Sequence, residues 1–212
     1  MYHLIKKDFL IQKKSLKLSL LLMLFFSVTF STLGSNGLTV SILAISYMLV
    51  LGASALEDNN NSDMMLASLP IKKHIIVLSK YISVYVFAAY ALLINCIIHL
   101  TVDLFQISNF SFPITGNGIF GAVIAVTLLF SISLPLLFKF GYLKSKMANY
   151  VILFVLVFGG SGITDNLAQN PRMRFLSDMP DIGTMILIFI GLMVLMFVSY
   201  FLSLTFYRNR EF

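Results

Sequence analysis

Six long apolar stretches constrain this chain more than any other feature of its sequence. Each is long enough to cross a hydrocarbon core of about 30 Å, which takes roughly 20 helical residues. Leu, Ile, Val, Phe and Met dominate the stretches, and the strict alternation of a barrel strand is absent. We therefore predict an all-α integral membrane protein with six transmembrane helices. The predicted spans are Leu16–Leu33, Leu38–Leu56, Ile75–Val102, Gly118–Phe138, Met147–Ile163 and Gly183–Tyr207.

The composition excludes several classes of protein. Of the 212 residues 58% are apolar and 11% are charged, whereas a soluble domain has about half apolar and a quarter charged residues. A soluble enzyme, a disordered tail and a nucleic-acid module are therefore excluded, and we expect no nucleic-acid partner. The single cysteine, Cys96, allows no internal disulfide, and no spacing of Cys and His indicates a metal site. Without linkers, residues 1–212 are predicted to form a single transmembrane domain.

The positions of the basic residues predict the orientation. Thirteen of the fifteen Lys and Arg residues fall on one side of the predicted spans, and only Arg172 and Arg174 fall on the other. Basic residues concentrate in cytoplasmic loops, so both termini are predicted to be cytoplasmic in a multi-pass protein of the cytoplasmic membrane. No small-x-small cleavage pattern follows Leu33, and we interpret the first stretch as a retained helix.

The cytoplasmic loop after the second span is the first candidate site. Asn61 or Ser62 is suited to cap a short helix, and Pro70 is suited to the first turn of the next one. Such a helix either packs into lipid or docks a cytoplasmic partner, and composition favours neither. The residues singled out in this loop are Glu57, Met64, Met65, Leu66, Leu69, Pro70, Ile71, Lys72 and Lys73.

Two further groups stand out inside the spans. Asn95, His99 and Asp103 are spaced by four and share a helix face near the outer end of span three. They either line a translocation route or contact headgroups and a neighbouring helix. Three glycines, Gly159, Gly160 and Gly162, mark a hinge or re-entrant element, a place where helices approach closely, or the simple end of span five.

The loop also carries a recognisable pattern. The run from Ser68-Leu69-Pro70 through Lys72-Lys73 to Lys80-Tyr81 resembles the small-residue–Leu-Pro–basic–Ile-Val–Lys-Tyr signature of ABC-2 type transporter permeases. The opening Leu4-Ile5-Lys6-Lys7-Asp8 and the six spans are similar to that family too. Within it, the chain resembles the compact permeases of low-GC Gram-positive bacteria, including the phenol-soluble-modulin exporter type.

The resemblance implies an ATP-driven exporter. Residues Glu57–Lys73 would hold the coupling helix that contacts a separate ATPase, and an N-terminal interfacial helix would lie along the inner leaflet. Short extracellular re-entrant helices would occupy Thr164–Ile182. Two ATPases would serve two permeases, the second being another copy or a sister permease. No G-x-x-x-x-G-K-[ST] occurs in the chain, so we expect no cofactor here and ATP and Mg in the partner.

Three alternatives remain open from the sequence. The cargo can be an amphipathic peptide, an antimicrobial compound, a lipid or a polysaccharide intermediate, and we favour a peptide toxin or antimicrobial. A non-transporting immunity or scaffold protein would have the same fold. An intramembrane enzyme is disfavoured, because no H-E-x-x-H occurs and only the presence of Ser131 and His99 suggests a catalytic pair.

Overall fold

The computed structural model of the protein describes residues 2–30, 35–60, 62, 65, 72–104, 115–169 and 181–209. All regular secondary structure in these residues is helical, as the sequence predicts. The long helices, numbered in chain order, are α1 Tyr2–Ile11, α2 Lys13–Thr29, α3 Ser35–Asn59, α4 Lys73–Leu104, α5 Gly116–Gln169 and α6 Asp181–Asn209.

Helix α5 reverses direction at Gly141, where φ is 74° and ψ is 173°. Before this residue, Thr39 of α3 donates its hydroxyl to the carbonyl of Gly118 at 3.2 Å. After it, the ring of Tyr150 lies against Tyr47 of α3, with centroids 6.2 Å apart. A straight helix would separate Gly118 from Tyr150 by about 48 Å, whereas Thr39 and Tyr47 are about 12 Å apart along α3. Helix α5 is therefore a hairpin whose second arm runs back along α3.

Contacts between helices bring both ends of the described chain to the same end of the bundle. Nζ of Lys80 lies 2.5 Å from Oε2 of Glu57, so α4 begins beside the end of α3. Nζ of Lys73 donates to the carbonyl of Arg208 at 3.3 Å, which brings the end of α6 to the same level. Gly141 and Glu57 line a common cavity there. We call this the lysine-rich end, because it gathers Lys7, Lys72, Lys73, Lys80, Lys139, Lys144, Lys146 and Arg208.

The helices differ in how deeply they are buried. In the apolar stretch of α3, 67% of the residues are buried inside the protein, against 11% in α6. A hydroxyl network attaches α6 to its neighbours: the phenol oxygen of Tyr81 lies 2.6 Å from the hydroxyl of Ser199 and 2.9 Å from that of Ser203. Ser199 also donates to the carbonyl of Ser131 at 2.7 Å. This network joins α4, α5 and α6, and the outer face of α6 is exposed.

Four described helical segments are long and apolar enough to span a membrane: Asn36–Asn59, Lys73–Val102, Gly118–Leu156 and Ile186–Asn209. Several helices of this kind are typical of a multi-pass membrane protein. The first predicted span is shorter among the described residues, since the apolar part of α2 covers Ser15–Phe26. The fourth and fifth predicted spans are the two arms of the α5 hairpin. The total of six spans stays a prediction.

The glycine run does not end its helix. Helix α5 continues through Gly159, Gly160 and Gly162 and ends at Gln169. The point at which span five leaves the membrane stays a prediction. The hinge interpretation stays a prediction. In the predicted re-entrant stretch Thr164–Ile182, positions 170–180 lie outside the described residues.

Candidate functional site

Four charged side chains meet at the lysine-rich end and join three helices. Glu57 of α3 lies between two lysines: Oε1 is 2.7 Å from Nζ of Lys7, and Oε2 is 2.5 Å from Nζ of Lys80. Asp8 of α1 lies beside them, with its carboxylate oxygens 3.8 Å from the same two nitrogens. It also accepts a hydrogen bond from the hydroxyl of Ser83 at 2.9 Å. We call Lys7, Asp8, Glu57 and Lys80 the charge cluster.

The charge cluster is largely shielded from solvent. The exposed fractions of the side chains are 5% for Asp8, 12% for Glu57, 13% for Lys80 and 28% for Lys7. Burial raises the pKa of Asp8 above its usual value, and the Glu57 carboxylate acts in the same direction, whereas Lys80 lowers this pKa. Exposed ion pairs contribute little to stability, but removing one partner of a buried pair leaves an uncompensated charge. Each member of this cluster therefore depends on the others.

A cavity of about 60 Å³ with both polar and apolar walls adjoins the charge cluster. Its wall includes Ser54 and Asp58 of α3, Ser79 of α4, Leu134 of α5 and Tyr207 of α6. A water molecule needs roughly 10–15 Å³ of such space, so the cavity has room for several. The cluster consequently borders open space at a point where α1, α3, α4, α5 and α6 all meet.

Helix α1 packs into the bundle as well as carrying the exposed Lys6. The ring of Phe9 stacks on Phe87 with centroids 6.0 Å apart and meets Tyr90 edge-on at 5.6 Å. At the junction of α1 and α2, the buried side-chain amide of Gln12 donates to the carbonyl of Leu49 in α3. The sequence predicts an interfacial helix here, and the structure adds an inward face that is attached to α3 and α4.

The predicted coupling loop is partly described. Glu57 lies in the last turn of α3 and faces the charge cluster, so its contacts are internal. Met65 is 68% exposed. Lys72 and Lys73, just before and at the start of α4, are also exposed. The other predicted members lie outside the described residues: Met64, Leu66, Leu69, Pro70 and Ile71.

The polar face predicted in span three lies on α4. Asn95 is buried, and its Nδ2 has no hydrogen-bond partner among the residues that the structure describes. His99, one turn further along, is half-buried. The side chain of Asp103 lies outside the described residues. Asn95 therefore faces the protein interior, and a role of the three residues in lining a route stays a prediction.

The structure does not assemble the serine–histidine pair that an intramembrane enzyme would need. The phenol oxygen of Tyr85 lies 3.1 Å from the hydroxyl of Thr127, which aligns α4 with the first arm of α5. His99 lies 14 residues after Tyr85 on α4, away from the lysine-rich end. Ser131 lies 4 residues after Thr127 on α5, toward the lysine-rich end. At 1.5 Å per residue they are about 27 Å apart along the bundle. Within the described part of the chain, no three His, Cys, Asp or Glu residues are placed to hold a metal.

The sequence interpretation missed the partnership of the charge cluster, although one signal was present. Lys80 lies inside a predicted span, where an ionisable side chain requires a partner. Its acidic partners are 23 and 72 residues away in the chain, at Glu57 and Asp8. Helical periodicity does not connect residues at such distances, so only the packing of α1 against α3 and α4 identifies the pairs.

Comparison with known families identifies the chain at the level of its family. The profile described as ABC-2 family transporter protein matches residues 3–208, nearly the whole chain. The chain belongs to this family. No curated protein and no solved structure gives a significant match. The protein is thus a membrane permease of an ABC transporter, a transport subunit that is not itself catalytic, and the family implies a partner ATPase subunit.

Proposed function

We propose that the permease is the membrane half of an ATP-driven exporter. A separate ATPase would dock on the segment Glu57–Lys73 and drive a hydrophobic or amphipathic cargo across the cytoplasmic membrane. The observation that carries this proposal is the family match over residues 3–208. The placement of the two ends of that segment beside the buried charge cluster supports it.

The lysine-rich end is the proposed cytoplasmic side. It holds the N-terminal helix, the ends of α3 and α6, the start of α4 and the turn at Gly141. Basic residues are retained on the cytoplasmic side of membrane proteins. Both termini would consequently be cytoplasmic, and the Glu57–Lys73 segment would be accessible to a cytoplasmic ATPase.

The energy for transport would come from the partner subunit. The chain contains no G-x-x-x-x-G-K-[ST] sequence, the loop that binds phosphates in such ATPases. ATP and Mg would therefore be held by the ATPase, with two ATPases serving two permease subunits. The second permease would be another copy of this chain or a sister permease. The role of the permease is then mechanical, and no residue of it takes part in hydrolysis.

A peptide toxin or antimicrobial peptide is the favoured cargo, as in the phenol-soluble-modulin type of exporter that the sequence resembles. One structural feature supports an apolar cargo. A cleft of about 180 Å³ lies between α3, α4 and the first arm of α5, and its wall is almost entirely apolar. Ile42, Ala88, Ala122 and Val126 contribute to it. Such a wall accommodates hydrocarbon side chains without leaving polar groups unpaired.

The test is co-purification of the tagged permease from its native membrane in mild detergent, followed by an ATPase assay on the eluate. We expect a separate P-loop ATPase to co-elute with activity. Leu69→Asp, and separately Lys72→Glu with Lys73→Glu, should reduce the bound ATPase about tenfold, the effect of losing about 1.4 kcal/mol of binding free energy. Insertion of these variants into the membrane should be unchanged.

A matched control separates docking from charge. Lys6→Glu with Lys13→Glu makes the same change of charge at two other exposed lysines of the N-terminal region, and should leave ATPase binding at the level of the unsubstituted protein. Equal loss in both pairs would indicate general electrostatic attraction and would remove the docking assignment. Absence of any ATPase in several mild detergents would favour a non-transporting immunity or scaffold protein.

A further inference from the structure

The charge cluster lies where the proposed coupling segment begins and ends. Glu57 precedes the end of α3 at Asn59, and Lys80 lies two turns after the start of α4 at Lys73. These are the two helices between which the segment runs. The ion pair of 2.5 Å between Glu57 and Lys80 therefore holds the helix that leads into the segment against the helix that follows it.

The same cluster attaches a third element, α1, to both of these helices. Lys7 reaches Glu57 of α3 at 2.7 Å, and Asp8 contacts Lys80 at 3.8 Å and Ser83 at 2.9 Å, both on α4. Helix α1 continues almost without interruption into α2, with a single turn residue at Gln12 between them. A displacement of the cluster would consequently reach the first membrane helix without passing through a flexible linker.

Stability alone does not explain why charges occupy this position. Replacing a buried ion pair by packed apolar residues is often neutral or stabilising, because the desolvation cost offsets the attraction. In some proteins buried charges are retained because they fix one arrangement of their partners. The cluster also borders the cavity of about 60 Å³, so the helices that it joins are not packed tightly on that side.

We propose that Lys7, Asp8, Glu57 and Lys80 are positioning residues that fasten α1 to both ends of the coupling segment, so that α1 moves with the segment. The movement of α1 with the segment rests on the proposed function. The fastening itself is a property of the permease alone. Helix α1 thereby acts as a lever between the ATPase-facing segment and α2, in addition to any contact with the inner leaflet.

The first test measures the fastening in the full-length permease without any ATPase. Spin labels are placed at Leu10→Cys on α1 and Asn59→Cys at the end of α3, both exposed positions, in a Cys96→Ala background. Double electron–electron resonance should give one narrow distance distribution. Glu57→Gln should broaden its width about twofold, because α1 then samples several positions.

Adjacent residues provide matched controls for this experiment. Asp58→Asn makes the same change of charge one residue further along α3 and should leave the width unchanged. If Glu57→Gln does not fold, Lys7→Gln removes the charge of the most exposed member of the cluster and with it the ion pairs to Glu57 and Asp8. Lys6→Gln on the same helix is its control. An unchanged width in Glu57→Gln or Lys7→Gln, or equal broadening in the controls, would overturn the fastening.

The second test measures the movement in the complex with the co-purified ATPase. Labels at Leu10→Cys and at the exposed Met147→Cys on α5 report where α1 lies relative to the hairpin. Adding ATP with vanadate should shift this distance in the cluster-intact protein. Lys7→Gln, which lies outside the docking segment, should lose at least half of the shift while the ATPase stays bound. Lys80→Arg, which keeps the charge, should retain the shift.

The outcomes of the two tests separate the proposals. An intact, active complex in which α1 does not shift with ATP and vanadate would overturn the lever and leave the exporter assignment in place. If no ATPase co-purifies, the exporter assignment fails and so does the lever that rests on it. The fastening of α1 would then still be decided by the distance widths of the permease alone.

Discussion

The reversal of α5 depends on the backbone of Gly141, and Gly141→Ala tests it. This residue has φ 74° and ψ 173°, a combination that is essentially restricted to glycine. A Cβ atom there should cost about 1–3 kcal/mol, the usual strain for such a conformation. Gly141→Ala should therefore lower the free energy of unfolding by that amount, because the second arm of the hairpin would no longer lie against α3 without strain.

The lone cysteine of the chain offers an assay for this prediction. Cys96 is half-buried in α4, and a thiol-reactive dye in detergent labels it as the protein unfolds during heating. Gly191→Ala is the matched control, since it is an exposed glycine inside α6 with nothing within 4 Å of the added Cβ. Alanine is the better helix former by about 1 kcal/mol, so this variant should melt at the same or a higher temperature.

Two results would refute the reasoning. If Gly141→Ala unfolds at the same temperature as the unsubstituted protein, the chain does not turn through the conformation described. If Gly191→Ala loses as much stability as Gly141→Ala, the cost belongs to alanine in this protein generally and not to the backbone of one turn.

Two further predictions concern the free energy of unfolding. The tyrosine variants use the same dye assay, whereas the pH series is followed by circular dichroism during heating, because a thiol reacts slowly with the dye in acid. Tyr81→Phe removes a buried phenol hydroxyl that contacts two serine hydroxyls and should lower the free energy of unfolding by about 0.6–1.7 kcal/mol. Tyr85→Phe removes a single contact, to Thr127 at 3.1 Å, and should lower it by less. A larger loss in Tyr85→Phe would contradict the network. Burial raises the pKa of Asp8 in the folded protein, so folding favours the protonated carboxyl. The stabilisation from the protonated form is complete below the pKa of the unfolded chain, about 3.9. It is lost as pH rises through the pKa of the folded protein. The free energy of unfolding of the unsubstituted protein should therefore fall relative to that of Asp8→Asn as pH rises from about 4. A rise over the same range would mean that the lysines keep Asp8 charged in the folded protein.

The charge cluster explains why the N-terminal segment carries both lysines and an acid. Exposed lysines such as Lys6 suit an anionic membrane surface, but this attraction does not account for Asp8, which faces inward and is 4% exposed. The acid is placed to meet Lys80, and its neighbour Lys7 to meet Glu57. One short helix thus combines a surface role on one face with an internal attachment on the other.

The sequence predicted the helices best where hydrophobic length alone decides the structure. The predicted span Leu38–Leu56 lies within α3, and Ile75–Val102 lies within α4. Membrane helices satisfy their own backbone hydrogen bonds, so each is recognisable from its own residues. Helix α5 continues through the glycine run at positions 159–162, although glycine favours helix C-termini, because a glycine inside a helix costs only about 1 kcal/mol relative to alanine.

The sequence by itself determined three properties, each of which depends on local composition or on a short pattern. These are the family, the helical class and the excess of basic residues on one side of the spans. The tertiary structure alone decided which charges meet. Lys7 and Glu57 are 50 residues apart and Glu57 and Lys80 are 23 apart, and no local rule selects these partners. It also decided that the chain turns back at a single glycine, since many sequences permit a turn but only packing against α3 requires one at Gly141. The physical reason is the same in both cases: hydrophobic length acts within a segment, whereas ion pairing and packing act between segments.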